Sequence, residues 1–313
     1  MTDSFNRKIT YLRLSVTERC SEKCIYCSKS EGKCPKESEL SAESFVKIAR
    51  ACALIGISKV RLTGGEPLLR RDFIQIVSGI SSLNTYKDIS LTTNAQLLKE
   101  QAHALKKAGI NRCNISLDSL RDEAYNEMTG GDLQKVFRGI KAAFQERMTP
   151  VRLNTVLIKG KNDLEIDSFI EVARKYPVDV RFIELMPMGD ASFEGISNEK
   201  ILADRPYLKP VELTEDYSGP AKYYSSSGFA GKVGFISPIS HSFCESCNRI
   251  RVTSDGFIRP CLGDTAEYSL KEALTGSTED LARLIFDIIR KKPQRNSFSD
   301  SFQTNRKMNQ IGG

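Results

Sequence analysis

Nine cysteines fall unevenly along the 313 residues, and six of them form two close sets. Cys20, Cys24 and Cys27 are spaced x3 then x2; Cys244, Cys247 and Cys261 are spaced x2 then x13. Cys34, Cys52 and Cys113 belong to neither set, and Cys52 shares an apolar helical face with Phe45 and Ile48, so it is expected in the core. Thiols grouped in this way in a reducing compartment point to metal rather than to disulfides. Three thiolates on a short loop can hold three irons of a cubane [4Fe–4S] cluster and leave the fourth iron open to a small molecule. A structural zinc ion is the other reading, and it requires a fourth protein ligand. The first set has none nearby, because His103 is far off within a helical pattern. His241 is a candidate for the second set, where zinc stays open.

Other residues with chemical potential stand beside these sets. Gly64-Gly65-Glu66-Pro67 follows the second apolar run. Paired glycines let backbone approach a ligand closely, and a carboxylate can pair with an ammonium group. Arg249 and Arg251 lie between the thiols of the second set on alternate positions of a strand pattern, hence on one face. Two guanidiniums beside a cluster suit an anion or a nucleotide; the same spacing also fits a solvated strand. The net charge of +7 is concentrated at the end, where residues 290–313 carry six Lys or Arg against Asp300. Such a tail suits a polyanion or plain solvation.

These residues need a scaffold. Apolar, β-branched runs at 11–16, 60–63, 89–92, 113–117, 151–158 and 178–185 alternate with amphipathic helical stretches. Ser41 is placed to cap a helix carrying Phe45, Ile48, Ala49 and Cys52, with Gly56 as its stop; Asp72 is placed to cap another with Phe73, Ile76, Val77 and Ile80 on one face. A third helix is expected over 96–108, ending at Gly109, and Val136, Phe137, Ile140 and Phe144 mark a fourth. The pattern predicts an α/β fold whose parallel sheet has its functional edge at the strand C-termini. Six units are too few to close, so residues 1–189 should form an open, partial (βα)6 TIM-like barrel, with residues 190–313 as a C-terminal extension closing the open side. Within the extension, 217–234 reads as loops with short strands, 249–253 and 257–259 as a hairpin, and 270–290 as helix. Hydrophobic residues make up 40% and charged residues 27%, no apolar run approaches bilayer length, and Met1-Thr2-Asp3-Ser4 lacks signal-peptide features. A cytoplasmic protein is expected.

The string CSEKCIYC, with GGEP after the next strand, resembles the signature of the radical S-adenosylmethionine (SAM) superfamily. CNRIRVTSDGFIRPCL, the preceding Phe243-Cys244 and the terminal Gly312-Gly313 narrow the resemblance to the GTP 3′,8-cyclase family of molybdenum cofactor biosynthesis. LRLSVTERC, VRLTGGEPLLRRD, LTTN, NISLDS and RFIELM extend it over nearly the whole chain.

The resemblance implies two [4Fe–4S] clusters, one on each cysteine set, with SAM on the open iron of the first and the guanine of GTP on that of the second. It implies a 5′-deoxyadenosyl radical that takes a hydrogen atom from C3′ of the ribose, attack of C3′ on C8, and a 3′,8-cyclo-7,8-dihydro-GTP product. GGEP is implied to receive the methionine amino group. By the same resemblance Tyr26, Gly65, Ser116 and Met186 line SAM. Arg13, Arg61, Thr92, Arg152, Arg249, Ile250 and Arg251 hold GTP, Arg181 adds to their field, and Gly312 and Gly313 insert into the site and assist catalysis. Implied partners are GTP, an electron donor such as flavodoxin or ferredoxin, and a downstream cyclic pyranopterin monophosphate synthase, without nucleic acid or membrane, the chain being a monomer or homodimer. The sequence departs from the family pattern at Arg152, commonly Lys, at Ala95, commonly Gly, and at Ser28-Lys29, frequently Met-Pro. Two competing readings are a radical SAM enzyme with an auxiliary cluster that modifies a peptide or RNA, and a zinc protein that binds nucleic acid through its basic tail. The second leaves GGEP and the β/α alternation without a purpose.

Overall fold

The computed structural model describes residues 1–27, 39–188, 192–212, 219–298 and 306–312. The expectations for Ser28, Lys29, Cys34, Gly313 and a boundary at 189/190 lie outside the described residues.

Six strands run parallel and side by side in chain order: β1 (Tyr11–Ser15), β2 (Lys59–Thr63), β3 (Asp88–Thr93), β4 (Arg112–Ser116), β5 (Val151–Leu157) and β6 (Val178–Glu184). Parallel neighbours need long crossovers. These are helices α1 (Ala42–Leu54), α2 (Phe73–Ser81), α3 (Leu98–Ala108), the pair α4 (Asp122–Thr129) and α5 (Leu133–Gln145), and α6 (Ile166–Lys175).

Alternation along each strand assigns its two faces. Leu12 and Leu14 of β1 and Val60 and Leu62 of β2 are fully buried in one apolar core with Phe45 and Ile48 of α1. Arg13 and Arg61, between those positions, instead line a cavity that they share with Arg112, Arg152 and Arg181 of β4, β5 and β6. The strands are apolar toward the helices and polar toward the lumen. Burying each large aliphatic side chain in the outer layer contributes roughly 1.5–3 kcal/mol. The outer layer therefore carries the fold and leaves the lumen available for charged chemistry. Cys52 lies in that outer layer, fully buried on α1, and Cys113 is buried 3.8 Å from the Met148 sulfur.

Local signals hold in part. Ser41 caps α1 by accepting from the Ser44 N–H at 3.2 Å, and α3 ends on Gly109 at a φ of 121°. Asp72 does not cap α2, because its carboxylate is taken by the Arg70 guanidinium at 2.7 and 2.9 Å. Phe137 is exposed, since α5 buries Leu133, Val136 and the small residues Gly139, Ala142 and Ala143. A Cβ on Gly139 would stand 3.0 Å from that of Ala95, so this face is shaped for close approach rather than for bulk.

The C-terminal part contains α7 (Asn198–Ala203), β7 (Lys209–Pro210), β8 (Lys222–Ser225), β9 (Lys232–Ile236), β10 (Arg249–Val252), β11 (Phe257–Arg259), β12 (Tyr268–Ser269), α8 (Thr278–Arg290) and α9 (Met308–Ile311). β9 joins β6 in parallel and β10 joins β1 in parallel. The order is β12-β11-β10-β1-β2-β3-β4-β5-β6-β9-β8-β7. The extension thus lengthens the sheet at both edges, and the outermost strands, β12 and β7, leave it open. The expected hairpin is present as antiparallel β10 and β11, with Gly256 at a φ of +87° in its turn. α8 is shorter than the 270–290 expectation because Ser277 caps it by accepting from the Asp280 N–H at 3.0 Å. Among the described residues no helix is long and apolar enough to cross a membrane.

Candidate active site

Past Ser15 the chain enters the loop that carries Cys20, Cys24 and Cys27 as free thiols. The GGEP turn pins this loop: the Gly65 N–H donates to the Thr17 carbonyl at 2.7 Å and the Glu66 N–H to the Arg19 carbonyl at 2.7 Å. A Cβ on Gly64 would lie 2.5 Å from the Thr17 oxygen, and one on Gly65 closer still to the Arg19 oxygen. The two glycines therefore serve the approach of two backbones. Glu66 has structural bonds of its own. It is fully buried; Oε1 accepts from the Leu68 N–H at 3.0 Å and the Thr93 hydroxyl at 2.8 Å, and Oε2 from the Asn94 N–H at 2.7 Å. Its carboxyl ties the end of β2 to the end of β3, and burial pushes it up to about 7 against those three donors.

The Tyr26 hydroxyl donates to Asp118 at 2.7 Å, and Asp118 also accepts from the Val156 N–H at 2.9 Å. This joins the cysteine loop to the C-terminal ends of β4 and β5. Burial lifts the Asp118 carboxyl to about 6. Burial, then the carboxylates of Asp118 and Glu22, hold the Cys24 thiol well above its ordinary value; burial pushes Cys27 up to about 11, with the Asn309 N–H opposing. Such thiols ionise when a metal cation replaces the proton. Ser116 closes β4, and Met186 stands two residues past β6 and lines the arginine cavity.

The second triad lines the same cavity as Arg13, Arg61 and Arg251. The β10–β11 hairpin returns Cys261 to Cys244 and Cys247. Sequence reasoning missed Arg7, which is buried and donates to the carbonyls of Cys244 at 3.0 Å, Pro293 at 2.7 Å and Gln294 at 3.0 Å. Phe243 supports the Arg249 guanidinium, 4.8 Å above its ring centroid. His241 points to Glu199 instead of the thiols, and exposed His103 lies 3.2 Å from Glu146. Among the described residues, then, neither histidine joins a triad, and the thiols are the donors at each. Zinc needs its donors at about 2.0–2.3 Å from one point, whereas a cubane offers each thiolate its own iron corner. The residues present fit clusters.

Beside the second triad the register sets arginines in a row: Arg13 is paired with Arg251 on one side and Arg61 on the other. Burial, with Arg249 next in weight, presses Arg251 down to about 9; burial, with Arg112, Arg181 and Arg152 adding, presses Arg61 to about 9. Arg152 is buried 3.4 Å from Asp179, its register neighbour on β6. Arg181 donates to the side-chain oxygens of Asn154 at 2.8 Å and Asn114 at 2.7 Å. The Thr92 hydroxyl is buried with no partner among the described residues. Ile250 is fully buried in the apolar core, so its side chain turns away from Arg249 and Arg251 and leaves only its backbone for a ligand.

The tail comes back to this region. The Arg306 guanidinium pairs with Asp255 at 3.0 Å and Glu267 at 2.6 Å, so this part of the tail's charge is neutralised within the fold. Asn309 donates to the Glu18 carbonyl at 3.0 Å and Gln310 to the Glu18 carboxylate at 3.0 Å, ahead of Cys20 in the first loop. Ile311 is fully buried and Gly312 reaches Arg251.

Comparison with known proteins agrees with this architecture. The family described as the Radical SAM superfamily matches residues 14–173, and that described as Molybdenum Cofactor Synthesis C matches residues 178–298. Among solved structures the chain is similar to Streptococcus suis SuiB, with a TM-score of 0.62 at 18% identity over 96% of this chain and 70% of that one. At that identity the likeness is one of fold. The chain is 45% identical to the GTP 3′,8-cyclase of Alkaliphilus oremlandii and 42% identical to those of Clostridium botulinum and Desulforamulus reducens, each alignment covering 100% of both proteins. The chain belongs to the radical SAM superfamily and, within it, to the family of the GTP 3′,8-cyclases.

Proposed function

We propose that this chain converts GTP to (8S)-3′,8-cyclo-7,8-dihydroguanosine 5′-triphosphate, the first step of molybdenum cofactor biosynthesis. One observation carries the reading: a buried row of arginines, Arg251–Arg13–Arg61, shares a cavity with the Cys244, Cys247 and Cys261 thiols. Like charges forced together in a poorly solvated space are relieved by a polyanion, and guanidiniums bind phosphate oxygens in pairs.

Cys20, Cys24 and Cys27 would hold one [4Fe–4S] cluster, and Cys244, Cys247 and Cys261 the other. When bound, the first cluster and SAM supply the one-electron chemistry that takes hydrogen from the ribose. The chain's residues position the reactants and exclude water. Tyr26, Gly65, Ser116 and Met186 line SAM in this reading, with Tyr26 oriented by Asp118. Arg13, Arg61, Arg249 and Arg251 grip GTP, the backbone at Ile250 contributes, and the unpartnered Thr92 hydroxyl is free to bond it. Arg152, held by Asp179, also faces the nucleotide in this reading. Gly312 and Gly313 assist catalysis in this reading. Residues 1–189 form the radical SAM partial barrel with the first cluster, and 190–313 the C-terminal domain with the second cluster, Arg249, Arg251 and the tail. The enzyme works in the cytoplasm as a monomer or homodimer, draws electrons from a flavodoxin or ferredoxin, and hands its product to cyclic pyranopterin monophosphate synthase.

The test is anaerobic reconstitution with iron and sulfide, then incubation with SAM, dithionite and GTP. Formation of 5′-deoxyadenosine together with a cyclised GTP product is expected. Deoxyadenosine without any GTP-derived product would overturn the cyclase reading, and zinc in place of iron would overturn the chemistry altogether.

A further inference from the structure

The two thiol triads differ in their surroundings. Beside the first stand two carboxyl groups, Glu22, whose Oε2 lies 3.9 Å from the Cys24 sulfur, and Asp118, which accepts from Tyr26, while the Glu22 backbone N–H donates to the Cys20 sulfur at 3.4 Å. Around the second, donors and cations predominate. The Cys244 sulfur faces the Ser242 hydroxyl at 3.0 Å, the Asn296 backbone N–H at 3.3 Å and the Asn296 side-chain amide at 3.1 Å.

Lys292 completes this second environment. It follows α8, is 2% exposed, and donates to the Arg249 carbonyl at 3.0 Å and to the Pro260 carbonyl. Arg249 follows Cys247 by two residues and Pro260 directly precedes Cys261, so the ammonium lies between the chains leaving one thiol and reaching the next. Two carbonyls take two of its three N–H groups but bring no negative charge to set against the ammonium, which is costly for a buried cation. A negatively charged cluster on those thiols supplies the compensation. The Lys292 ammonium also hydrogen-bonds the Cys247 sulfur.

Hydrogen bonds to cluster sulfurs and nearby positive charge favour the reduced, more negative state, and adjacent carboxylates disfavour it. The geometry points to Lys292, assisted by Asn296 and Ser242, as the positioning residue that holds the C-terminal cluster at a higher reduction potential than the N-terminal one. This rests on the reading that both triads carry cubanes.

The experiment is an EPR-monitored redox titration of the reconstituted full-length protein without GTP. Each cluster is followed alone, in variants whose other triad is changed to serine. The C-terminal cluster is expected to titrate at the more positive potential. Lys292→Met should lower the reduced-to-oxidised ratio of that cluster at least tenfold at fixed potential, which is 59 mV for a one-electron couple. Lys292→Arg should restore it, and the N-terminal cluster should stay unmoved. Asn296→Ala removes one donor to Cys244 and should shift the potential in the same direction, so the proposal stays testable if the lysine variant loses its cluster. Iron at both triads with equal potentials, or no shift in either variant, overturns the proposal alone. A second triad that takes zinc overturns the cluster reading with it.

Discussion

Arg251 donates a hydrogen bond from Nη1 to the Gly312 carbonyl at 2.8 Å, joining the innermost cation of β10 to the last described residue of the tail. Gly312 has a φ of +77°, and a Cβ there would lie 2.5 Å from Thr63 Cγ2 and 3.3 Å from Ser15 Cβ. Conformation and space both demand glycine. Gly312→Ala must undock the tail or strain it, at a cost of roughly 1–2 kcal/mol for the left-handed backbone alone. Turnover is expected to fall about tenfold or more, while both clusters keep their iron. Rates measured beside iron content decide it; an unchanged rate would show that the contact with Arg251 is idle.

The Gly65–Arg19 approach leads to a second expectation. With no room beside the Arg19 carbonyl, Gly65→Ala has to displace the residue that directly precedes Cys20. The variant should reconstitute with about half the iron, retaining only the C-terminal cluster. Gly276→Ala is the control: like Gly65 it has no positive φ, but a new Cβ there would meet only the Ala273 carbonyl at 3.7 Å, and it should reconstitute fully. Full iron in both variants would mean that GGEP does not hold the cysteine loop.

The outer shell and the cysteine sets were legible in the sequence because both are local. Leu12-Arg13-Leu14 states its two faces within three residues, and thiol spacing needs no tertiary knowledge. The placement of β9 and β10 was not legible, because a strand's pattern tells which face is apolar and not which edge it joins. The α5 face was misread at Phe137 because Gly139, Ala142 and Ala143 bury by being small. The role of Glu66 comes from Thr93 and Asn94, on another strand end, and Lys292 and Arg7 act on carbonyls far away in sequence. A charged residue in a basic tail looks solvated until the fold shows what it was buried against.

The arginine row should trade stability for binding. Arg13 stands between Arg251 and Arg61 in register, and burial followed by those two charges lowers its proton affinity well below the ordinary range. Inorganic tripolyphosphate, which lacks the nucleoside, should raise the thermal midpoint of the protein, because a ligand at about 100 times its Kd adds roughly 2.7 kcal/mol. Arg13→Gln should abolish most of that rise and leave the ligand-free midpoint equal or higher, since one repelling charge is gone. A lower ligand-free midpoint with an intact response to tripolyphosphate would contradict the assignment of this row to the triphosphate.

Glu66 yields a pH dependence whose sign follows from its burial. Its carboxyl is raised from 4.5 to about 7, so the folded chain keeps a proton that the unfolded chain has released. The stability this provides is fully present below about pH 4.5 and is lost as pH rises through about 7, on the order of 3 kcal/mol in all. Glu66→Gln removes the titration and should flatten that part of the profile. It should also lower stability at acid pH, because the Asn94 N–H then faces an amide nitrogen instead of an acceptor, a loss of about 1–3 kcal/mol. Denaturant unfolding of wild type and variant at about pH 5 and about pH 8 measures both effects. The same pH dependence in the two proteins would mean that Glu66 is ionised throughout and that its three donors outweigh the cost of burying its charge.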